Sequence, residues 1–443
     1  MKIALVSPRS AFLGKNDKFN SFLKQSPEME FYRQYWSGLG SGLLVVGALT
    51  GNGIEIELID ENIEDIDFNR GYDLVAVTAM TQQAIRAYEI ARRFRERNSK
   101  VVLGGIHASV LPDEAKLHVD SVVVGEAENL WPIVLDDFTH HRLSPVYVSQ
   151  REVDLKTSPI PKYELLETKP YKIVWVQATR GCPHDCSFCC ASRVYGPKYR
   201  HKSIDQVIGE IKKIRGIKKH AVIGFADDNL LCDKEYSRHL LEKATDLRIR
   251  WIGQSDISIA YDNRLLKLIK KSGCVALFIG FESIVEDNLR GLDSCNWKLK
   301  HLKDYVASIR KIQSNGIGII GTFIAGFDND DTSVFNRLAN FIIDNRLAGA
   351  QIAALTPFPH TRLREILLKE DRVLDTPWDN YTFYDANIKP RKMSPQELEA
   401  GIIHTFKKVY SPGVAVEKSK YFRGIFSELR KGRTRADNDN LRR

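Results

Sequence analysis

Short runs of β-branched and other apolar residues punctuate the first 135 positions, at residues 3–7, 54–59, 74–78, 101–104 and 121–124. Amphipathic stretches separate them. In residues 82–97, Ile85, Tyr88, Ile90, Ala91 and Phe94 recur at helical spacing among charged neighbours. Strand and helix in alternation predict a parallel sheet with helices on both faces. Five such strands predict a doubly wound, Rossmann-like domain over residues 1–135, with ligands beyond the strands' carboxyl ends. Periodicity weakens over residues 136–170, where Pro145, Pro159 and Pro161 fall, and this stretch reads as a linker.

A second β/α series starts near residue 173. Its strand patterns lie at 173–178, 221–226, 250–255, 276–280, 318–324 and 351–355. Helical patterns at 204–214, 234–244, 264–271, 297–314 and 333–346 follow most of them. Six units are fewer than the eight of a closed barrel, so residues 171–361 are expected to form a partial (β/α)6 barrel. Beyond it, helical patterns at 362–368 and 395–409 flank an aromatic stretch, 378–384, which predicts a small, mainly helical C-terminal module over 362–443.

Composition narrows the class. Apolar residues make up 43% of the 443, enough for buried cores, and no apolar run reaches the roughly 18 residues of a membrane span. The first residues, Met1-Lys2-Ile3-Ala4, lack a signal-peptide pattern, so a cytoplasmic protein is expected. The net charge is +9. From Lys418 onward nine basic residues face three acidic ones, so most of the excess sits in the tail. A solvated, frayed terminus is the plain reading, and contact with an anionic membrane surface or nucleic acid the sharper one. The near-neutral remainder argues against a nucleic-acid enzyme with a broad basic groove.

Of seven cysteines, four lie within nine residues, in Thr179-Arg180-Gly181-Cys182-Pro183-His184-Asp185-Cys186-Ser187-Phe188-Cys189-Cys190. Such clustering points to metal ligation or catalysis rather than to disulfides. The motif directly follows the first strand of the second series, where β/α barrels place their active sites. Cys182, Cys186 and Cys189 have the spacing to converge on one centre. Iron–sulfur clusters bind through cysteine thiolates, ordinarily four, and a cluster held by three leaves one iron open. A structural zinc site completed by His184 or Cys190 is the alternative, although no second cysteine pair supports it. Cys190 reads as a bystander, since adjacent residues point apart.

The Cys-x3-Cys-x2-Cys motif, with Phe188 before its last cysteine, resembles the radical S-adenosylmethionine superfamily. That resemblance implies a [4Fe–4S] cluster on Cys182, Cys186 and Cys189 and S-adenosylmethionine on the open iron, cleaved to a 5′-deoxyadenosyl radical. It further implies an amine site near Asp227 and Asp228 after the second strand, where an N-cap for the next helix is the competing reading. Gln254 and Ser255 would meet the methionine or ribose, and Glu282 the ribose. Gly321 and Gly326, expected to flank the 318–324 strand, would lie near adenine or serve as turn residues.

The N-terminal domain has no GxGxxG motif after its first strand, so a dinucleotide site is not expected. Val102-Leu103-Gly104-Gly105-Ile106-His107 and Val124-Gly125-Glu126-Ala127-Glu128 instead resemble cobalamin-binding domains fused to radical enzymes. Asp60-Glu61-Asn62, Thr78-Ala79-Met80-Thr81 and residues 37–59 extend the likeness. Thr78, Met80, Gly104, Gly105, His107, Gly125 and Glu126 are thereby candidates for cobalamin contact. Asp-x-His-x-x-Gly is absent, so His107 is not presumed an axial ligand. A domain that folds without binding a corrinoid is the alternative.

The C-terminal stretch, from Trp378-Asp379-Asn380-Tyr381 to Lys389-Pro390-Arg391-Lys392-Met393-Ser394-Pro395, is similar to enzymes methylating hopanoids and bacteriochlorophyll precursors. Pro359-His360-Thr361 departs from the expected Pro-Gly-Thr. The resemblance implies cobalamin-dependent C-methylation of a large apolar or planar metabolite, lipid-like or tetrapyrrole-like, with flavodoxin or ferredoxin as electron donor. A radical cyclase, oxidase or rearrangement enzyme on the same scaffold competes with it. An RNA methylthiotransferase would need a second cysteine set, and residues 1–135 hold no cysteine. A non-enzymatic zinc-binding module is the remaining class.

Overall fold

The structure is a computed structural model describing residues 1–10, 14–36, 39–149, 151–196 and 198–440. Ser37 and Gly38, at the start of the 37–59 stretch, and Arg442 and Arg443 of the tail lie outside the described residues. The chain divides into two compact units. The first holds residues 1–16, 33–221 and 356–388, and the second residues 17–32, 222–355 and 389–443.

In the first unit, six parallel strands form one sheet: β1 (Lys2–Ser7), β2 (Glu55–Asp60), β3 (Leu74–Thr78), β4 (Lys100–Gly104), β5 (Ser121–Val124) and β6 (Val146–Val148). Their order is β2-β1-β3-β4-β5-β6. The chain therefore runs outward from β1 in both directions, which puts a topological switch point between β1 and β3. Ile3–Val6 and Leu74–Val77 are buried throughout, as expected of strands covered on both faces. Val75, Val77, Phe94, Val101 and Leu103 share one apolar cluster with Ala87, Ile90 and Ala91 of the helix Ala84–Arg95.

All five strands expected from the pattern are present, within a residue or so of their predicted ends. The sixth, β6, falls in the stretch read as linker. It is three residues long and too short to show periodicity, but it pairs with β5 from Val122↔Val146 to Val124↔Val148. The same unit contains β7 (Ile173–Val176), the antiparallel pair β8 (Thr179–Arg180) and β9 (Arg200–His201), and the capped helix Ile204–Ile217.

In the second unit, β10 (Val222–Phe225), β11 (Trp251–Ser255), β12 (Cys274–Glu282), β13 (Gly318–Ala325) and β14 (Gly349–Ala354) pair in sequential order, all parallel. With β7 these are the six strands anticipated for the second series. Gly321 lies inside β13 rather than at its edge, and a Cβ there would come within 2.8 Å of the Phe323 ring and Leu347. A side chain there would collide with both. The expected helix 297–314 is broken into Trp297–His301, a 3-10 turn and Tyr305–Ser314.

The C-terminal stretch is helical as expected, at Arg362–Lys369 and Pro395–Val409. Its residues are shared: 356–388 belong to the first unit and 389–443 to the second. The basic tail is not a frayed end over most of its length, for a helix runs Pro412–Asn440. Its near half is anchored within the second unit. The Arg346 guanidinium lies 5.4 Å from the Tyr421 ring, and the Lys270 ammonium 4.6 Å from Phe426. Burial pushes the Lys418 amine down to about 8.

Candidate active site

At the carboxyl ends of β1, β3, β4 and β5 the first unit encloses a cavity of about 320 Å3. Thr78, Met80, Gly104, Gly105, Gly125 and Glu126 all line it. Leu39, Leu43, Val46, Ala79, Val102 and Val123 make its walls mainly apolar. Backbone geometry explains the glycines. Gly105 has φ +93°, and a Cβ there would sit 2.7 Å from Thr78 Oγ1 and 2.8 Å from Ala79 O. Gly125 has φ +92° with no atom within 4 Å of where its Cβ would be, so it faces open space. Two adjacent strand ends are thus bare backbone, a cradle suited to a flat, apolar group.

His107 is placed differently from the other candidates. Its side chain is fully buried, and it does not line the cavity. Nε2 lies 2.9 Å from the Tyr88 hydroxyl, which itself donates to Glu114 Oε1 at 2.9 Å. The imidazole therefore donates from Nε2. Burial lowers its pKa in spite of Glu114, so the ring stays neutral. A direct contact between His107 and a cavity ligand is not supported.

The cysteine segment occupies the loop between β8 and β9. Cys182, Cys186 and Cys189 are half-buried and in no disulfide, and the Cys189 N–H donates to Cys186 O at 3.0 Å. Among the described residues no three His, Cys, Asp or Glu side chains close on the position of a single ion. Cys190 is the N-cap position of the short helix Ala191–Val194, and burial, with Cys189 nearby, pushes its thiol up to about 12. The residues after β14 hold this loop from outside. Leu363 N–H donates to Ser187 O at 2.9 Å, and Arg362 binds both the carbonyl and the carboxylate of Asp185.

In the second unit the remaining candidates stand at neighbouring strand ends. Asp227 is fully buried after β10, and Asp228 is half-buried. The capping alternative for this pair fails. The next helix, Lys234–Thr245, is capped by Asp233, whose Oδ1 accepts from Glu235 N and Tyr236 N at 3.0 Å each. Asn229 Nδ2 donates to Asp256 Oδ2 at 2.8 Å, joining the ends of β10 and β11 beside Gln254 and Ser255. Glu282 ends β12 with φ +64°, a strained value for a side-chain-bearing residue. Its Oε1 accepts from Lys298 Nζ at 2.9 Å.

Against this geometry the comparisons are consistent. Residues 38–135 match the B12 binding domain family, and residues 176–342 match the Radical SAM superfamily. Bacteriochlorophyllide d C-12(1)-methyltransferase of Chlorobaculum tepidum is 33% identical over 386 residues, covering 85% of this chain and 83% of that one. The chain belongs to the radical S-adenosylmethionine enzymes that carry a B12-binding domain. Bacteriochlorophyllide d C-8(2)-methyltransferase of the same organism is 29% identical over 382 residues, 83% of this chain and 84% of that one. In fold the chain resembles the radical S-adenosylmethionine methyltransferase TsrM of Kitasatospora setae. The TM-score is 0.65 at 16% identity, over 98% of this chain and 99% of that one.

This radical S-adenosylmethionine enzyme thus has a [4Fe–4S] cluster, S-adenosylmethionine and cobalamin as its cofactors. Sequence reading gave no role to several residues that shape the sites. Arg180 lies two residues before Cys182. It donates to Glu126 Oε1 at 2.7 Å, to Glu128 Oε1 at 2.6 Å and to Gln177 Oε1 at 2.7 Å. Arg200 donates to Glu126 Oε2 at 2.9 Å. Burial pushes the Glu126 carboxyl up, but the Arg200 and Arg180 guanidiniums outweigh it and hold it below its ordinary value. The signal available was the Glu-x-Glu pattern after β5, whose two acids on one side of a buried loop call for cationic partners. Trp378, singled out in sequence only for the C-terminal likeness, has its indole N–H 3.0 Å from both oxygens of Glu114, within the Tyr88–His107 network.

Proposed function

We infer that the chain catalyses cobalamin-dependent methylation of a carbon on a large planar metabolite of tetrapyrrole type. The observation that carries this is the 33% identity to a bacteriochlorophyllide methyltransferase, which runs through both the corrinoid-binding and the radical domain. When bound, the cluster with S-adenosylmethionine supplies a carbon-centred radical, and cobalamin supplies the methyl group.

The chain's own residues divide the remaining work. Cys182, Cys186 and Cys189 hold the cluster and leave a coordination position for the methionine end of S-adenosylmethionine. Asp227 and Asp228 bind its ammonium, and Gln254, Ser255 and Glu282 bind its carboxylate and ribose. Thr78, Met80, Gly104, Gly105 and Gly125 cradle the corrinoid through backbone and short side chains. Glu126 shapes that cradle through its arginines rather than by contacting the ligand as an acid. His107 supports Tyr88 behind the cradle. A low-potential protein such as flavodoxin or ferredoxin delivers the electron in the cytoplasm. Among the described residues no helix is long and apolar enough to cross a membrane. The basic helix Pro412–Asn440, with Val416 and Phe426 exposed, suits peripheral contact with an anionic surface.

The test is anaerobic reconstitution with a bacteriochlorophyllide-type tetrapyrrole and mass analysis of the product. A gain of one methylene, with 5′-deoxyadenosine formed, is expected. A product changed in oxidation state or ring closure, with no added carbon, would favour the cyclase or oxidase reading.

A further inference from the structure

The loop that carries the cysteines is closed at its base by two hydrogen-bonded strands. In that pair Arg180 of β8 stands directly opposite Arg200 of β9. Like charges directly opposite on paired strands repel, and both guanidiniums are more than nine-tenths buried. Glu126 lies against both and accepts from each, while Glu128 takes the second amino group of Arg180. The acids do not belong to the cysteine loop. They sit on residues 125–128, which wall the corrinoid cavity.

The same cavity is lined by both flanks of the cysteine segment: Arg180 on one side, Val194 and Tyr195 on the other. Arg200 adds to the closure by donating to Tyr195 O at 3.1 Å. Gly181, φ +89°, admits no side chain, since a Cβ would lie 2.3 Å from Lys198 O. The base of the loop therefore has one tight backbone arrangement, and the ion cluster that secures it is built from the cavity wall.

We propose that Glu126, Glu128, Arg180 and Arg200 are positioning residues that couple the two cofactor sites, so that corrinoid in the cavity and the cluster on the cysteine loop bind cooperatively. A ligand filling the cavity presses on residues 125–128 and on both flanks at once, and so favours the loop arrangement that holds three thiolates together. Coupling of this kind is reciprocal. The proposal rests on the corrinoid reading of the cavity.

The test uses the full chain, reconstituted anaerobically, with hydroxocobalamin as one probe and an iron chelator as the other. At equilibrium with the chelator, hydroxocobalamin should raise the chelator concentration that removes half the iron by about fivefold or more. Cluster-loaded protein should bind hydroxocobalamin more tightly than cluster-free protein by a factor of similar order. In Glu126→Gln/Glu128→Gln both effects should fall towards a factor of one. Should the double variant fail to fold, Glu128→Gln alone and Arg180→Lys are read instead; each keeps charge at the base of the loop and should lose part of the effect. Uptake of hydroxocobalamin by the wild type with no change in equilibrium iron retention overturns the coupling alone. Full coupling in the folded variants overturns the role of these four residues. No uptake at all overturns the corrinoid reading with it.

Discussion

The two cavity glycines do different work, and substitution separates them. At Gly105 both the positive φ and the contacts with Thr78 and Ala79 exclude a side chain. Gly105→Ala should therefore cost at least about 1 kcal/mol in denaturant unfolding. At Gly125 only the backbone conformation resists, for the space beyond it is open. Gly125→Ala should cost less stability but weaken hydroxocobalamin binding, which titration would show. Equal loss of stability in both would mean that Gly125 is a turn residue and no part of a cradle. The cysteines permit a comparable separation. Ala at Cys182, Cys186 and Cys189 together should abolish iron binding and 5′-deoxyadenosine formation, whereas Cys190→Ala should leave both largely intact. A wild type that is colourless and holds one zinc after anaerobic preparation would refute the cluster assignment. Which residues matter was legible wherever chemistry required a rare type at fixed spacing, as in the cysteine motif. It was not legible where a common residue gains its role from a distant partner. Arg180 and Glu126 are 54 positions apart, and nothing in either neighbourhood pairs them.

Among elements, strands were easier to place than the connections that finish them. β3 and β5 stand where the β-branched runs predict, because burial on both faces forces near-continuous apolar sequence. β6 escaped notice since three residues carry no period, and the helix over 297–314 was read as continuous since its break adds only a 3-10 turn. The acids after β10 show the same limit. The sequence leaves Asp227 and Asp228 open as caps for the following helix, and the hydrogen bonds of Glu235 N and Tyr236 N give that place to Asp233 instead. This divides the expected effects. Asp233→Ala should lower stability by about 0.5–2 kcal/mol and leave the affinity for S-adenosylmethionine unchanged. Asp227→Asn/Asp228→Asn should weaken that affinity by roughly tenfold or more, as loss of a charge-assisted contact of about 1.5–3 kcal/mol implies. Calorimetric titration of S-adenosylmethionine into the cluster-loaded protein reads both. Normal binding by the double variant would leave the two acids without a role in holding the cofactor.

For the molecule as a whole, the decisive question is how the first unit holds a corrinoid, because the methyltransferase reading depends on it. Every candidate cradle residue but one lines the same cavity at the switch point of the sheet. The exception, His107, is the one side chain of that set able to ligate cobalt through nitrogen. Its placement argues against that role on three counts. The ring is fully buried. Its Nε2 is engaged with Tyr88, and Tyr88 is fixed in turn by Glu114. Trp378 packs against the ring at 5.6 Å and binds the same Glu114, so freeing the imidazole would unmake a network of four side chains. Breaking the buried contacts of Nε2 is costly; Nδ1 is buried with no hydrogen-bond partner among the described residues, but His107 does not line the cavity. The protein should therefore take up cobalamin without a histidine below the cobalt. Electron paramagnetic resonance of the protein loaded with cob(II)alamin tests this directly. A spectrum without superhyperfine splitting from an imidazole nitrogen is expected, and His107→Ala should leave it unchanged while lowering thermal stability. Splitting that disappears in His107→Ala would show that the network opens on binding and that the imidazole does coordinate. Failure to take up any corrinoid would point to a domain that folds without its ligand, and the assignment of carbon methylation would fall with it.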